Sequence, residues 1–222
     1  MKKLLLMVLA CLLVVSVPVL ADSEEEIDMP DFDLQTNGMT LGFMNVDVED
    51  LNKAIDGEYP ELDSSVILFG GANQFGFKNG IRFGGFGVGG VTTNEDENGA
   101  MSQLAVGFGG LDVEYGKALS DQVDASAGLV AGVGSTELTL RKNELTDVSQ
   151  PNKIYLANVF FTAGPKATVN FNPTENVTLQ GYGTYLFSLG GNKWKDGKDT
   201  TDVLDPVKVE GPAFGFSISF NY

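Results

Sequence analysis

The stretch from Tyr155 to Phe171 reads YLANVFFTAGPKATVNF, and every second residue, beginning with Tyr155, is apolar. The intervening residues are small, polar or charged from Asn158 onward, with Phe160 as the exception. A two-residue period is typical of a β-strand with one apolar and one polar face. Strands of soluble proteins usually run about five or six residues, whereas a tilted strand needs about 9–11 to cross a membrane. The length of this stretch therefore favours a strand that spans a membrane.

The same alternation, interrupted by turn residues, predicts seven further strands. The final one is clear, because Phe216, Ile218 and Phe220 alternate with polar residues. In chain order the eight predicted strands are Met39–Val46, Ser65–Asn73, Gly80–Thr92, Met101–Gly116, Gln122–Leu140, Ile154–Phe171, Val177–Leu189 and Glu210–Tyr222.

The connections between these strands alternate strictly between short and long. Short turns such as Ala118–Asp121 carry turn-forming residues, whereas links such as Thr93–Ala100 and Gly190–Val209 are longer, polar and charged. In an up-and-down barrel, this alternation gathers the short turns at one end and the long loops at the other. The sequence therefore predicts an all-β fold, a closed antiparallel up-and-down β-barrel of about eight strands.

The link between the first two strands, Asp47–Leu62, predicts one short helix. Asp47 can cap its start, and Val48, Leu51 and Ile55 fall on one helical face. We expect this helix to cover the barrel opening or to dip into its mouth.

The amino-terminal segment is typical of a secretory signal peptide. Lys2 and Lys3 precede an apolar run, and Val19-Leu20-Ala21 comes directly before Asp22. An uncleaved membrane anchor is the alternative, since the apolar run is nearly long enough to span. The predicted organisation is a signal peptide at 1–21, an acidic flexible arm at 22–37 and a β-barrel domain at 38–222.

Composition argues against several classes of function. The chain has 30 acidic and 14 basic residues and a net charge of −16, which would repel nucleic acid. It has no histidine, the commonest general base, and its single cysteine, Cys11, lies in the signal peptide. Two acidic loops, Asn94–Gly99 and Asp196–Asp202, lack the spacing of a calcium loop. We therefore expect no enzymatic activity, no cofactor and no metal site.

Five charged residues share the polar phase of their strands near the short-turn end. With about 2.5 Å of axial rise per tilted residue, they should lie at similar depths in the barrel. An unpaired charge there would cost several kcal/mol, so we expect the two cations to pair with the carboxylates as a plug. A salt-bridge network that fills the lumen is the favoured role, and a gate or proton path is the alternative. The five residues are Arg82, Asp112, Glu114, Asp124 and Lys166.

The fourth predicted strand changes phase along its length. Apolar residues occupy even positions up to Phe108 and odd positions from Leu111 onward. An extra residue in one strand would produce such a change, so we expect a β-bulge at Gly109-Gly110.

The chain ends in Phe216-Ser217-Ile218-Ser219-Phe220-Asn221-Tyr222. Together with the strand count and the loop asymmetry, this aromatic end resembles the small eight-stranded outer-membrane barrels of bacteria. The resemblance covers nearly all of the mature chain and is architectural, without a diagnostic motif; Tyr222 replaces the commoner terminal Phe. It implies membrane lipid as the surroundings, and the barrel-assembly machinery as the partner that reads the terminal strand.

The leading hypothesis is therefore a monomeric integral outer-membrane barrel with a structural, adhesive or surface-protective role and at most a narrow conduit. The main alternative is a soluble exported barrel, periplasmic or secreted, that binds a lipid-like molecule. It would need the apolar faces inside and the charged faces in water. A cell-surface β-sandwich used for adhesion is a third possibility. Trp194 is expected to contact a sugar or to anchor the rim at the membrane interface.

Overall fold

The structure is a computed structural model that describes residues 34–55, 57–142, 153–191, 193–196, 199–201 and 204–221. The predicted signal peptide and most of the predicted arm lie outside these residues. The described elements are β1 (Leu34–Asn45), α1 (Glu49–Ile55), β2 (Ser65–Gly76), β3 (Ile81–Glu95), β4 (Met101–Ala118), β5 (Val123–Arg141), β6 (Lys153–Thr174), β7 (Val177–Leu189), β8 (Trp194–Asp196), β9 (Asp199–Thr201) and β10 (Gly211–Asn221).

Eight of these strands form a closed antiparallel barrel, which confirms the predicted fold. Strands β1 to β7 pair with their neighbours in chain order, β7 pairs with β10, and β10 pairs with β1. The closing seam runs from the Thr36–Asn221 pair to the Met44–Ala213 pair. Because the barrel is closed, each of its eight strands pairs with a neighbour on both sides.

The two ends of the barrel differ. At the turn end lie Leu34, Asn221 and the short links β2–β3, β4–β5 and β6–β7. At the loop end lie α1 and the strand ends that the links β1–β2, β3–β4, β5–β6 and β7–β10 join. The β3–β4 link, Asp96–Ala100, is shorter than the expected loop because β3 continues to Glu95, whereas β4 begins at Met101 as predicted. There the Asp96 carboxylate closes the turn by accepting the backbone N–H groups of Asn98 and Ala100.

Strand β1 begins at Leu34 and not at Met39, so residues 34–37 belong to the barrel and not to the arm. The sequence pattern conceals this start because both faces are polar there. Thr36 points inward and is buried, while Gln35 and Asn37 point outward and are exposed.

A small hairpin of β8 and β9 was not predicted. It lies within the expected loop Gly190–Val209 and extends the sheet at the loop end, where Lys195 pairs with Ala157 of β6. Three-residue strands are too short to produce a visible alternation.

The outward face of the barrel is apolar over most of its height. On β6, Val159, Phe161 and Val169 point outward and are exposed, whereas the alternate residues Phe160, Thr162 and Thr168 point inward and are buried. Other exposed apolar residues on the barrel strands include Met39, Leu41, Phe43, Ile67, Phe69, Leu111, Val113, Leu129, Leu179, Phe187, Phe214, Phe216, Ile218 and Phe220.

This polarity reverses towards the loop end without any change of register. In the half of β5 nearer the turn end, Leu129 and Val133 point outward. In the half nearer the loop end, Leu138 and Leu140 point inward and Glu137 points outward. The interior of the loop end is consequently an apolar core. Its exterior becomes polar on the long strands β3, β4 and β5, whereas β1, β2 and β7 keep exposed apolar side chains at their loop-side ends, namely Phe43, Ile67 and Leu189.

The expected bulge at Gly109-Gly110 is wrong. Pairing runs continuously through these glycines, with Gly109 opposite Gly87 and Gly110 opposite Phe86. The phase of β4 changes because Phe108 belongs to the apolar core at the loop end, whereas Leu111 faces outward nearer the turn end.

Helix α1 covers the apolar core, as one of the two expected arrangements requires. Leu51 and Ile55 are buried, and the Asn52 amide holds the following segment by exchanging two hydrogen bonds with the backbone of Leu62, at 2.9 and 3.0 Å. At the start of the helix, Asp47 accepts the backbone N–H of Glu49. Within the described residues, no helix is long and apolar enough to cross a membrane.

Candidate functional site

The five predicted charged residues all point into the lumen from β3, β4, β5 and β6. We call this group, Arg82, Asp112, Glu114, Asp124 and Lys166, the lumen cluster. Its side chains are almost entirely buried, and the most accessible, that of Lys166, is 12% exposed. The structure thus brings together residues from four strands at one depth, between the turn end and the apolar core.

Arg82 and Asp124 form one pair within the cluster. Arg82 Nη1 lies 2.6 Å from Asp124 Oδ1, and the guanidinium also donates to the carbonyls of Phe77 and Lys78, at 3.1 and 2.6 Å. Asn170 Nδ2 donates to the same carboxylate oxygen at 2.8 Å. These partners compensate much of the cost of burying both charges.

Lys166 forms the second group, with two carboxylates. Its ammonium contacts Asp112 Oδ2 and lies 2.7 Å from Glu114 Oε1. The Ser126 hydroxyl donates to Glu114 Oε2. Among the described residues, Asp112 Oδ1 and Glu114 Oε1 are both buried without a hydrogen-bond partner, but only Glu114 Oε1 lies within ion-pair distance of Lys166.

Glycines make room for these side chains. A Cβ atom on Gly116 would overlap the Arg82 guanidinium, and one on Gly84 would overlap the Asp112 carboxylate. The barrel of eight strands is narrow, so absence of a side chain at these two positions is what allows the charges to fit.

Amide and hydroxyl groups extend the network towards the turn end. Gln180 donates to Asn170 at 3.1 Å, Asn172 donates to Asp124 at 3.2 Å, and Thr178 donates to Asn172 at 2.6 Å. The sequence analysis did not single out these residues. They share the inward phase of their strands, which is the signal that could have found them.

Little open space remains on the loop-end side of the lumen cluster. An interior cavity of about 40 Å³ lies where the polar and apolar halves of the lumen meet, with Lys166, Gln180 and Tyr182 on one side and Leu68 and Phe108 on the other. It has room for a few water molecules at most. The Lys166 ammonium also sits 5.9 Å from the centre of the Tyr182 ring, within range of a cation–π contact.

Trp194 does not lie at the surface, so the expectation of a sugar contact or an interfacial anchor is wrong. Its side chain is fully buried in the core at the loop end, and its indole N–H donates to the Asp205 carbonyl at 3.1 Å. The flanking lysines suggested exposure, but within β8 Trp194 is buried while Lys195 and Asp196 are exposed.

A cleft of about 530 Å³ opens at the loop end beside α1. Acidic side chains predominate in its lining, which includes Asp47, Asp50, Asp205 and Glu210, with Lys208 as the basic residue. In the described part of the chain, no group of three or more acidic side chains is arranged to hold a metal ion.

Fold and lumen together define a class, the closed eight-stranded barrel with a filled, charged interior. The chain is similar to Neisserial surface protein A (NspA), with a TM-score of 0.51 and 10% identity over 84% of this chain and 95% of that chain. It also aligns with Ail, the attachment invasion locus protein of Yersinia pestis, in complex with the heparin analogue sucrose octasulfate. That match has a TM-score of 0.47 and 14% identity over 85% of this chain and 99% of that chain. At such identities the likeness to NspA concerns the fold alone. No family model and no curated protein matches the chain.

Proposed function

We propose that this chain is an integral outer-membrane β-barrel with a structural, adhesive or surface-protective role. The observation that carries the proposal is an apolar outward face combined with a charged, buried inward face on the same strands. Soluble monomers rarely expose so extended an apolar surface. A closed barrel suits lipid because all of its strands pair with one another.

Aromatic side chains border the apolar belt. Near the loop end the rings of Tyr185 and Phe187 lie 5.0 Å apart, and near the turn end Phe75 and Phe83 stack with centroids 5.8 Å apart. Membrane barrels carry aromatic girdles at both interfaces. The positions of these pairs support a belt that spans the hydrocarbon layer.

The alternative, a soluble barrel that binds a lipid-like molecule, fits the geometry poorly. It needs charges such as Lys166 and Glu114 in water, whereas both are buried in the lumen. Pockets for small molecules usually measure about 300–1,000 Å³, and the interior cavity measures about 40 Å³. The same small volume argues against a conduit and favours a role at the surface.

The acidic loop end supports a role in surface contact. Strand β1 begins and β10 ends at the turn end, and the usual orientation of such barrels puts that end in the periplasm and the loop end outside. An acidic outer surface would repel anions and attract cationic partners. Recognition of the terminal strand by the barrel-assembly machinery, and a monomeric state, are part of the same proposal.

Membrane fractionation tests the location. We expect the protein to stay in washed membranes through carbonate or urea and to leave only with detergent, and we expect heat-dependent migration in detergent gels. Release by carbonate or urea would contradict the proposal and favour the soluble barrel.

Epitope tags test the orientation. A tag inserted after Asn98, at the loop end, should be labelled on intact cells, whereas a tag after Asp121, at the turn end, should be labelled only after the outer membrane is opened. Labelling of both tags, or of the second alone, would contradict the proposed orientation.

A further inference from the structure

The charges in the lumen do not balance. The described barrel strands turn two cations, Arg82 and Lys166, and three carboxylates, Asp112, Glu114 and Asp124, into the interior. If all five are ionised, a compartment shielded from water carries one uncompensated negative charge. Such a charge is costly, and buried groups commonly neutralise it by binding a proton.

The excess is confined to one part of the lumen cluster. Arg82 and Asp124 form a balanced pair with further hydrogen bonds from neighbouring groups. Lys166, in contrast, forms ion pairs with both Asp112 and Glu114. One ammonium therefore faces two carboxylates.

We propose that Asp112 and Glu114 form a proton-binding site that holds one proton in the folded barrel at neutral pH. The site goes beyond the proposed surface role and depends only on the closed barrel. The proton resides mainly on Asp112, because both oxygens of Glu114 have a partner, Oε2 in the Ser126 hydroxyl and Oε1 in the Lys166 ammonium at 2.7 Å. Asp112 contacts Lys166 through Oδ2 alone, and its Oδ1 has neither a cation nor a hydrogen-bond donor among the described residues.

The surroundings favour a proton over a metal ion. The interior cavity is lined by Lys166 and not by either carboxylate, so it offers no space beside them for a hydrated ion. The titratable or charged groups that face the site are Arg82 from β3, Asp124 from β5, Lys166 from β6 and Tyr182 from β7. Strands β1, β2 and β10 turn no charged side chain inward within their described residues.

The site makes folding depend on pH in a defined direction. In the unfolded chain both carboxyls ionise near pH 4, so at neutral pH the folded state binds one more proton than the unfolded state. Stability must then fall as the pH rises, with up to about a tenfold increase in the unfolding equilibrium constant per pH unit while the folded site stays protonated.

The test is reversible urea unfolding of the mature chain refolded in phosphatidylcholine vesicles, from about pH 6 to pH 9, for the wild type and Asp112→Asn. The wild type should lose stability as the pH rises, and the variant should lose that dependence because its amide carries no charge. Asp121→Asn, which removes an exposed carboxylate from the β4–β5 turn, is the control. It should keep the dependence, because the charges inside the lumen are unchanged.

Infrared spectra supply an independent readout. The folded wild type should show the carbonyl band of a protonated carboxyl group at neutral pH, and Asp112→Asn should lack it. If Asp112→Asn does not refold, Glu114→Gln removes the same excess charge and should also abolish the dependence. A wild type with no such band, or with stability that follows the sodium concentration instead of the pH, would overturn the proposal.

Discussion

The apolar face of β4 points outward in the half near the turn end and inward in the half near the loop end. Near the turn end, β4 turns Val113 outward and Glu114 inward, whereas near the loop end it turns Leu104 inward and Gln103 towards the exterior. The backbone register is continuous between them. The difference teaches that the surroundings on each side of the sheet, and not the strand itself, decide which face is apolar. On the proposed location, the reversal marks the outer boundary of the membrane.

Loss of a buried charge in the turn half should have the largest effect. Arg82→Met leaves Asp124 buried without its cation, and removal of one partner of a buried pair costs about 3–5 kcal/mol. Urea unfolding in vesicles measures this loss. The matched control is Lys53→Met, which breaks the exposed helical pair with Glu49 and should change nothing measurable. Equal effects of the two variants would contradict the contrast between a buried plug and a solvated surface.

Truncation in the loop half should be nearly as costly. Leu138→Ala removes a fully buried side chain from the apolar core, and such changes cost about 2–5 kcal/mol. The same unfolding assay applies, with Leu129→Ala on the outward face of the same strand as the control. If Leu129→Ala were the more damaging variant, the loop half would not contain a packed core.

A charge on the outward face should separate the two halves directly. Phe216 is 65% exposed to the exterior and lies midway along the belt, and Arg at the midplane of a membrane barrel costs about 2–4 kcal/mol. Thr93→Arg, on the outward face of the loop half, should be close to neutral. Phe216→Leu controls for the lost ring. Similar costs for both arginines would place both sites in water or both in lipid.

Addition of a methyl group gives the smallest of these effects. Gly116→Ala should destabilise the barrel by about 1–3 kcal/mol, because its Cβ would overlap Arg82 and overpack the lumen. Gly87→Ala is the matched control, since nothing lies within 4 Å of the added atom. A harmless Gly116→Ala would show that the guanidinium can move aside.

Much of the fold follows from alternation alone. A two-residue period reports that a strand has two different faces, so Tyr155–Phe171 and the terminal Phe216-x-Ile218-x-Phe220 pattern were sufficient to find β6 and β10. It does not report which face is inside. The reversal of polarity along β4 was therefore mistaken for a bulge at Gly109-Gly110.

The lumen cluster could be predicted because charged side chains that point inward share a narrow lumen and must pair with one another there. Arg82 and Lys166 could be assigned to the interior, but the choice of partner depends on strand tilt and register, which a single sequence does not contain. Trp194 could not be assigned, because it lies in a hairpin of two three-residue strands, which are too short to show a pattern in the sequence.

The seam between β1 and β10 has a consequence for how the protein is made. Thr36 of β1 pairs with Asn221 of β10, almost the whole chain away. During synthesis, β1 is therefore made long before β10, the strand that pairs with one of its two edges. Contacts of such long sequence separation form slowly. Until β10 is available, the edge of β1 that faces it stays unpaired, and an unpaired edge can pair with another chain.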